Sequence, residues 1–235
     1  MIPSRNLSLF SNRLAKDGGR RLPEAVLERD YCLAWFLVAL SRTPLRERLA
    51  FKGGTSIKRC YFHDYRFSED LDFTLAEETT YETIRQELDP VFAEVRRASG
   101  ITFRFAREDR QSHANSHTFY LAYEGPLPAP AGGREVKVDV TIRERFAFPI
   151  EDRAVLRGYE EYADLPEDAK VRAYAMGEIA AEKIAEVRGE FQAKEARYKK
   201  LWDPRLSGQM VVLPEFAEVY RSVRRALRQA GITAN

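Results

Sequence analysis

The clearest alternation of apolar and polar positions falls in two short runs. In "SEDLDFTL", residues 68–75, Leu71, Phe73 and Leu75 share one side, and Asp70, Asp72 and Thr74 the other. In "VKVDVT" the same period sets Val136, Val138 and Val140 against Lys137, Asp139 and Thr141. Both runs predict half-buried strands with acids on the open face. "ITFRFAR" and "HTFYLAYE" read as further strands, and "REVKVDVTIRE" extends the second run; "GPLPAPAGG" is a loop before it. Residues 23–42 predict a helix that opens at Pro23 and is apolar on all sides, with Trp35 and Phe36 in the core. "LRERLAFKGG" leads into a strand around Ala50 and Phe51 that stops at Gly53-Gly54, and a helix follows over about 55–62. "TYETIRQELDPVFAEVRRAS" is an amphipathic helix that Pro90 is expected to kink or split. A short strand and a helix are expected over 171–191, and a terminal helix between Pro214 and Gly231. The organisation is a mixed α/β part, residues 1–160, followed by a mainly helical part, residues 161–235.

Composition changes this picture little. Of 235 residues, 44% are hydrophobic, enough for a sizeable core, and the longest uncharged apolar run, "YCLAWFLVAL", is too short to cross a bilayer. The start of the sequence has no apolar signal-peptide core, and Cys32 and Cys60 have no metal-like spacing, so a reducing cytoplasm is expected. Net charge is only +2. It is unevenly spread, however: residues 183–235 carry 11 Lys and Arg against 6 Asp and Glu. That stretch could follow a phosphate backbone or simply form solvated helix faces.

Side chains two apart on a strand project to one face, roughly 6.5–7 Å apart along the chain. Asp70 and Asp72 are thus placed to share a divalent cation. If the strand of Asp139 lies beside theirs, a three-carboxylate cluster results, and such hard oxygen donors suit Mg²⁺ or Mn²⁺. Upstream, "FKGGTSIKR" ends a strand, lets the backbone approach a ligand at Gly53-Gly54, and starts a helix with Thr55 and Ser56. Helix-start N–H groups and hydroxyls make an anion cradle. The Walker A spacing is absent. Lys58 and Arg59 could reach phosphate or lie on a wet helix face. The pair His113 and His117 reads as polar loop.

The order of these features resembles the nucleotidyltransferases built on a polymerase-β-like core. The stretch "FKGGTSIKRCYFHDYRFSEDLDFTL" is closer still to the AbiEii/AbiGii family of bacterial toxins, which includes the MenT toxins. The resemblance extends more loosely to "VKVDVT" and to "EIAAEKIAEVRGE". It implies an α/β (α+β) fold with a mixed sheet, and a toxin that transfers a nucleoside monophosphate from an NTP to RNA, tRNA 3′ ends included. It also implies an antitoxin encoded nearby. By the same resemblance Gly53, Gly54 and Ser56 contact the nucleotide phosphates, Asp70, Asp72 and Asp139 hold Mg²⁺ or Mn²⁺, and Lys183 meets the triphosphate. Asp203 and Trp202 in "KKLWDPRL" match the second acid and the aromatic of the family's later motif, but Lys200 stands where its first acid would be. Ser68, two residues before Asp70, would be the hydroxyl whose phosphorylation silences the site.

Two other classes compete. Asp72 with Glu135-Val136-Lys137 spells the acid…E-x-K pattern of metal-dependent nucleases, yet leaves the Asp70/Asp72 pair and the glycines unexplained. A non-catalytic nucleotide-binding protein would have no use for three mutually repelling acids. The superfamily fold can also host phosphoryl transfer to other acceptors.

Overall fold

The computed structural model describes residues 1–17, 19–109, 115–187 and 194–229, the side chains of 183–187 and 227 excepted. Eight helices are described: α1 (Ser4–Lys16), α2 (Glu24–Leu40), α3 (Leu45–Arg48), α4 (Gly53–Cys60), α5 (Tyr81–Ser99), α6 (Met176–Val187), α7 (Glu195–Leu206) and α8 (Phe216–Gln229). Seven strands, β1 (Leu49–Lys52), β2 (Leu71–Leu75), β3 (Thr102–Glu108), β4 (Ser116–Glu124), β5 (Arg134–Thr141), β6 (Glu151–Ala154) and β7 (Lys170–Ala173), form one mixed sheet. Their order is β3-β4-β5-β2-β1-β7-β6, with β2–β5 and β1–β7 parallel and the other pairs antiparallel. The expected α/β class with a mixed sheet is what the chain forms. β7 comes from beyond residue 160 and sits inside the sheet, so the sheet draws on both expected parts of the chain.

One face of the sheet is the core face. Leu71, Phe73 and Leu75 of β2 and Val136, Val138 and Val140 of β5 are buried there, as their alternation predicts. They meet α2, buried along nearly its whole length, and the apolar stripe of α5, Ile84, Leu88, Val91 and Val95. Trp35 and Phe36 lie in this core. α5 runs unbroken through Pro90, contrary to the expected split. Pro90 is on the solvent side, where the carbonyl left without its N–H donor can turn to water. The opposite face carries a smaller cluster of Ala50, Tyr174 and Ile179, which seats α6 against the sheet. Glu178 fixes the start of α6, accepting from the backbone N–H groups of Ala147 and Phe148 at 2.8 and 2.7 Å. Gly231 and His113 lie outside the described residues.

Candidate active site

The acids stand on the face opposite the main core. Register puts four residues in one row across neighbouring strands: Thr118 beside Asp139, Asp139 beside Asp72, and Asp72 beside Lys52. Residues paired in this way sit one strand spacing apart, about 4.8 Å. The sequence left open whether β5 adjoins β2; it does. Asp70 lies one residue before β2, where the strand was expected to include it. Its backbone is fixed instead by Thr55, whose Oγ1 donates to the Asp70 carbonyl at 2.5 Å.

Gly53 and Gly54 begin α4 directly beside these acids. Gly53 has φ +76°, and a Cβ there would collide with the Asp72 carboxylate. Glycine is needed both for the backbone and for the approach. A Cβ on Gly54 would meet Ser68 Oγ at 3.0 Å and the Arg66 guanidinium at 3.2 Å, so Ser68 lies against the glycine turn. No side chain caps the start of α4, which leaves its first N–H groups for a ligand or water.

The hydroxyls expected in the cradle are used differently. Thr55 and Ser56 are buried, and Ser56 Oγ donates to the Phe51 carbonyl at 3.4 Å. Lys58 and Arg59 do not lie on a wet face; both are buried. Lys58 Nζ spends its three donors on the carbonyls of His63 and Tyr65 and the Tyr159 hydroxyl, at 2.8, 2.9 and 2.8 Å. Burial pulls its pKa down to about 8. Arg59 pairs with Asp30 and donates to the carbonyls of Asp30, Leu156 and Arg157. Helical spacing cannot show that both sides of α4 are covered, here by Phe67, Tyr159 and Tyr162.

Electrostatics disfavour the ionised form of Asp72. Burial first, then the charges of Asp70 and Asp139, push its pKa up to about 6, against partial relief from Lys52 and Lys137. Burial likewise raises Asp70. Asp139 Oδ1 accepts from Thr118, and Oδ2 accepts from Lys137 Nζ at 2.5 Å. Among the described residues no three His, Cys, Asp or Glu side chains are gathered as a closed ion cage, Asp139 being turned to these donors. The donor set nonetheless fits a hard divalent cation: three carboxylates, two of them disfavoured in their ionised form by burial and like charge.

Beyond the row lies a cluster that the sequence did not announce. Lys52 Nζ donates to Glu144 at 2.7 Å and approaches Glu182 of α6 at 3.5 Å. Thr74 and Tyr174 hydroxyls also donate to Glu144, at 2.9 and 2.7 Å. Glu144 lies past the end of β5, and only the folded sheet brings it to Lys52. This cluster holds the face of α6 that precedes Lys183, whose side chain is outside the described residues. Asp203 on α7 is exposed and pairs with Arg20 at 3.3 Å; Trp202 Nε1 donates to the Pro214 carbonyl. Glu135, needed for the nuclease pattern, is held by Arg107 at 2.9 Å.

The mixed α/β fold has a counterpart in a solved nucleotidyltransferase toxin. MenT4, a nucleotidyltransferase toxin from Mycobacterium tuberculosis H37Rv, has the same fold at 19% identity, with a TM-score of 0.54 over 83% of this chain and 80% of that one. JHP933 from Helicobacter pylori is 14% identical, with a TM-score of 0.46 over 89% of this chain and 96% of that one. No curated protein matches the chain in sequence. The family described as "Nucleotidyl transferase AbiEii toxin, Type IV TA system" matches residues 35–225, and the chain belongs to it. The family implies an NTP substrate and a partner antitoxin. No helix among the described residues is long and apolar enough to cross a membrane.

Proposed function

We propose that this toxin transfers a nucleoside monophosphate from an NTP to an RNA acceptor, the 3′ end of tRNA, and so arrests translation in the cytoplasm. The observation that carries the reading is the side-by-side register of Asp72 and Asp139 with Gly53 against the Asp72 carboxylate. Mg²⁺ or Mn²⁺ held by Asp70, Asp72 and Asp139 would neutralise the polyphosphate and acidify the attacking hydroxyl. The N–H groups of Gly53 and Gly54 orient the phosphates at the start of α4. Asp139 takes the proton of the acceptor hydroxyl, whose oxygen bonds to the α-phosphorus as the bond to the bridging oxygen breaks. Pyrophosphate leaves, its charge met by Lys183. Ser68, packed on the glycine turn, is the position where a phosphate would repel the NTP. The basic helices α7 and α8 hold the RNA acceptor, and Asp203 on the first contributes to nucleotide binding.

Each labelled NTP in turn, with Mg²⁺ and total tRNA, tests this. Labelled RNA is expected with one or more nucleotides, and none with Asp72→Ala or Asp139→Ala. RNA shortened without NTP would favour a nuclease; nucleotide affinity with neither activity would favour a binding module.

A further inference from the structure

Lys137 stands two residues before Asp139 on the same face of β5, and its ammonium lies on the acid's Oδ2. With Thr118 on Oδ1, both oxygens of Asp139 are taken by donors from its own chain. The other lysine of the row has a different commitment. Lys52 is directly across from Asp72, yet its ammonium is held by Glu144 and Glu182. Among the described residues neither Asp70 nor Asp72 makes an ion pair, which leaves Lys137 as the cation that directly contacts the acid trio. The two partners are 37% and 28% exposed, so the flexible lysine stem has room to withdraw into water.

We propose that Lys137 is a built-in counter-ion of the acid cluster, closing Asp139 while no divalent cation is bound and yielding to the ion when one arrives. It thereby sets the cation affinity of the site. The proposal rests on the reading of Asp70, Asp72 and Asp139 as metal ligands. A single charge on a mobile stem neutralises part of the trio and keeps the sheet face stable. Release of Lys137 to a doubly charged ion held by Asp70, Asp72 and Asp139 would cost the chain one partly exposed ion pair.

Calorimetric titration of Mn²⁺ alone into the full chain, without nucleotide, tests this. Lys137→Met keeps the stem and removes the charge, and it is expected to bind Mn²⁺ roughly three- to fivefold more tightly than wild type, the upper end for one partly exposed pair. Lys137→Arg keeps the charge and is expected to stay within about twofold of wild type. Unchanged or weaker Mn²⁺ binding by Lys137→Met, in a protein whose Asp139→Asn variant binds less Mn²⁺ than wild type, overturns the counter-ion role and leaves the metal site standing. Mn²⁺ binding that is absent, or indifferent to Asp139→Asn, removes the metal site and the proposal with it.

Discussion

Asp72 on β2 and Asp139 on β5 are direct neighbours in a parallel ladder, so two acids stand side by side on one sheet face. Like charges so placed work against the fold in the absence of a cation. The sheet tolerates them because the opposite sides of the same strands bury Leu71, Phe73, Val138 and Val140.

The pH dependence of stability should report this directly. Asp72 rises from 3.8 to about 6 in the fold, so the unfolded chain releases this proton first as pH increases. Its contribution to stability is fully present below about pH 3.8 and is lost as pH climbs through about 6. The loss has an upper bound of roughly 3 kcal/mol. Asp72→Asn is therefore expected to stabilise the metal-free protein by about 1–3 kcal/mol at pH 7 and by little at pH 4. Urea unfolding at the two pH values measures it, and equal gains at both would count against the strained carboxyl.

Gly53→Ala combines a left-handed backbone with a collision against Asp72. A stability loss of about 1–2 kcal/mol is expected from the backbone alone. Nucleotide transfer should fall by more than that predicts, because the Asp72 carboxylate must move. Activity tracking stability alone, in denaturant midpoints and initial rates of folded protein, would contradict the close approach.

Lys58→Met tests whether this lysine serves the fold or the ligand. Removing its ammonium strands the carbonyls of His63 and Tyr65 in a buried site, at a cost of about 1–3 kcal/mol or more. The melting temperature should drop while NTP affinity, measured where the variant is folded, stays within about twofold. A large loss of NTP affinity in folded protein would restore the phosphate-ligand role.

Glu182 provides a second pH signal. Burial and its hydrogen bond to Glu144 push it up to about 7. Burial also acts to raise Glu144, but hydrogen bonds from Lys52, Tyr174, Glu182 and Thr74 outweigh it and hold that group down at about 2. A raised acid contributes stability below its unfolded value of 4.5 that is lost as pH rises through about 7. Amide exchange in the first turns of α6, corrected for intrinsic rates, should speed up between pH 6 and 8. Glu182→Gln should flatten that dependence; a wild-type-like slope in the variant would exclude the shared proton.

The sequence revealed what depends on period and local chemistry. Alternation in β2 and β5 assigned the buried and open faces, and the glycine pair located the start of α4. What depends on neighbours distant in the chain was not legible. Lys58 and Arg59 have the spacing of surface residues, and only the approach of Phe67 and residues 156–162 turns them into buried anchors. Thr55 and Ser56 have the chemistry of a phosphate cradle, but Asp70 and Phe51 carbonyls claim their hydroxyls. Lys137 was visible as a neighbour of Asp139 on one face, though not as its ion-pair partner. β6, Glu144 and the seat of α6 had no local signal at all, since a four-residue strand and a lone acid acquire meaning only against β1 and β7.

The placement of β7 between β1 and β6 has a consequence for synthesis. Until residues 170–173 have left the ribosome, the strand that leads into the glycine turn lacks one of its two neighbours. Lys52 meanwhile waits for Glu182, a few residues later still. The turn at Gly53 therefore gains the second neighbour of its strand only after about three quarters of the polypeptide has been made.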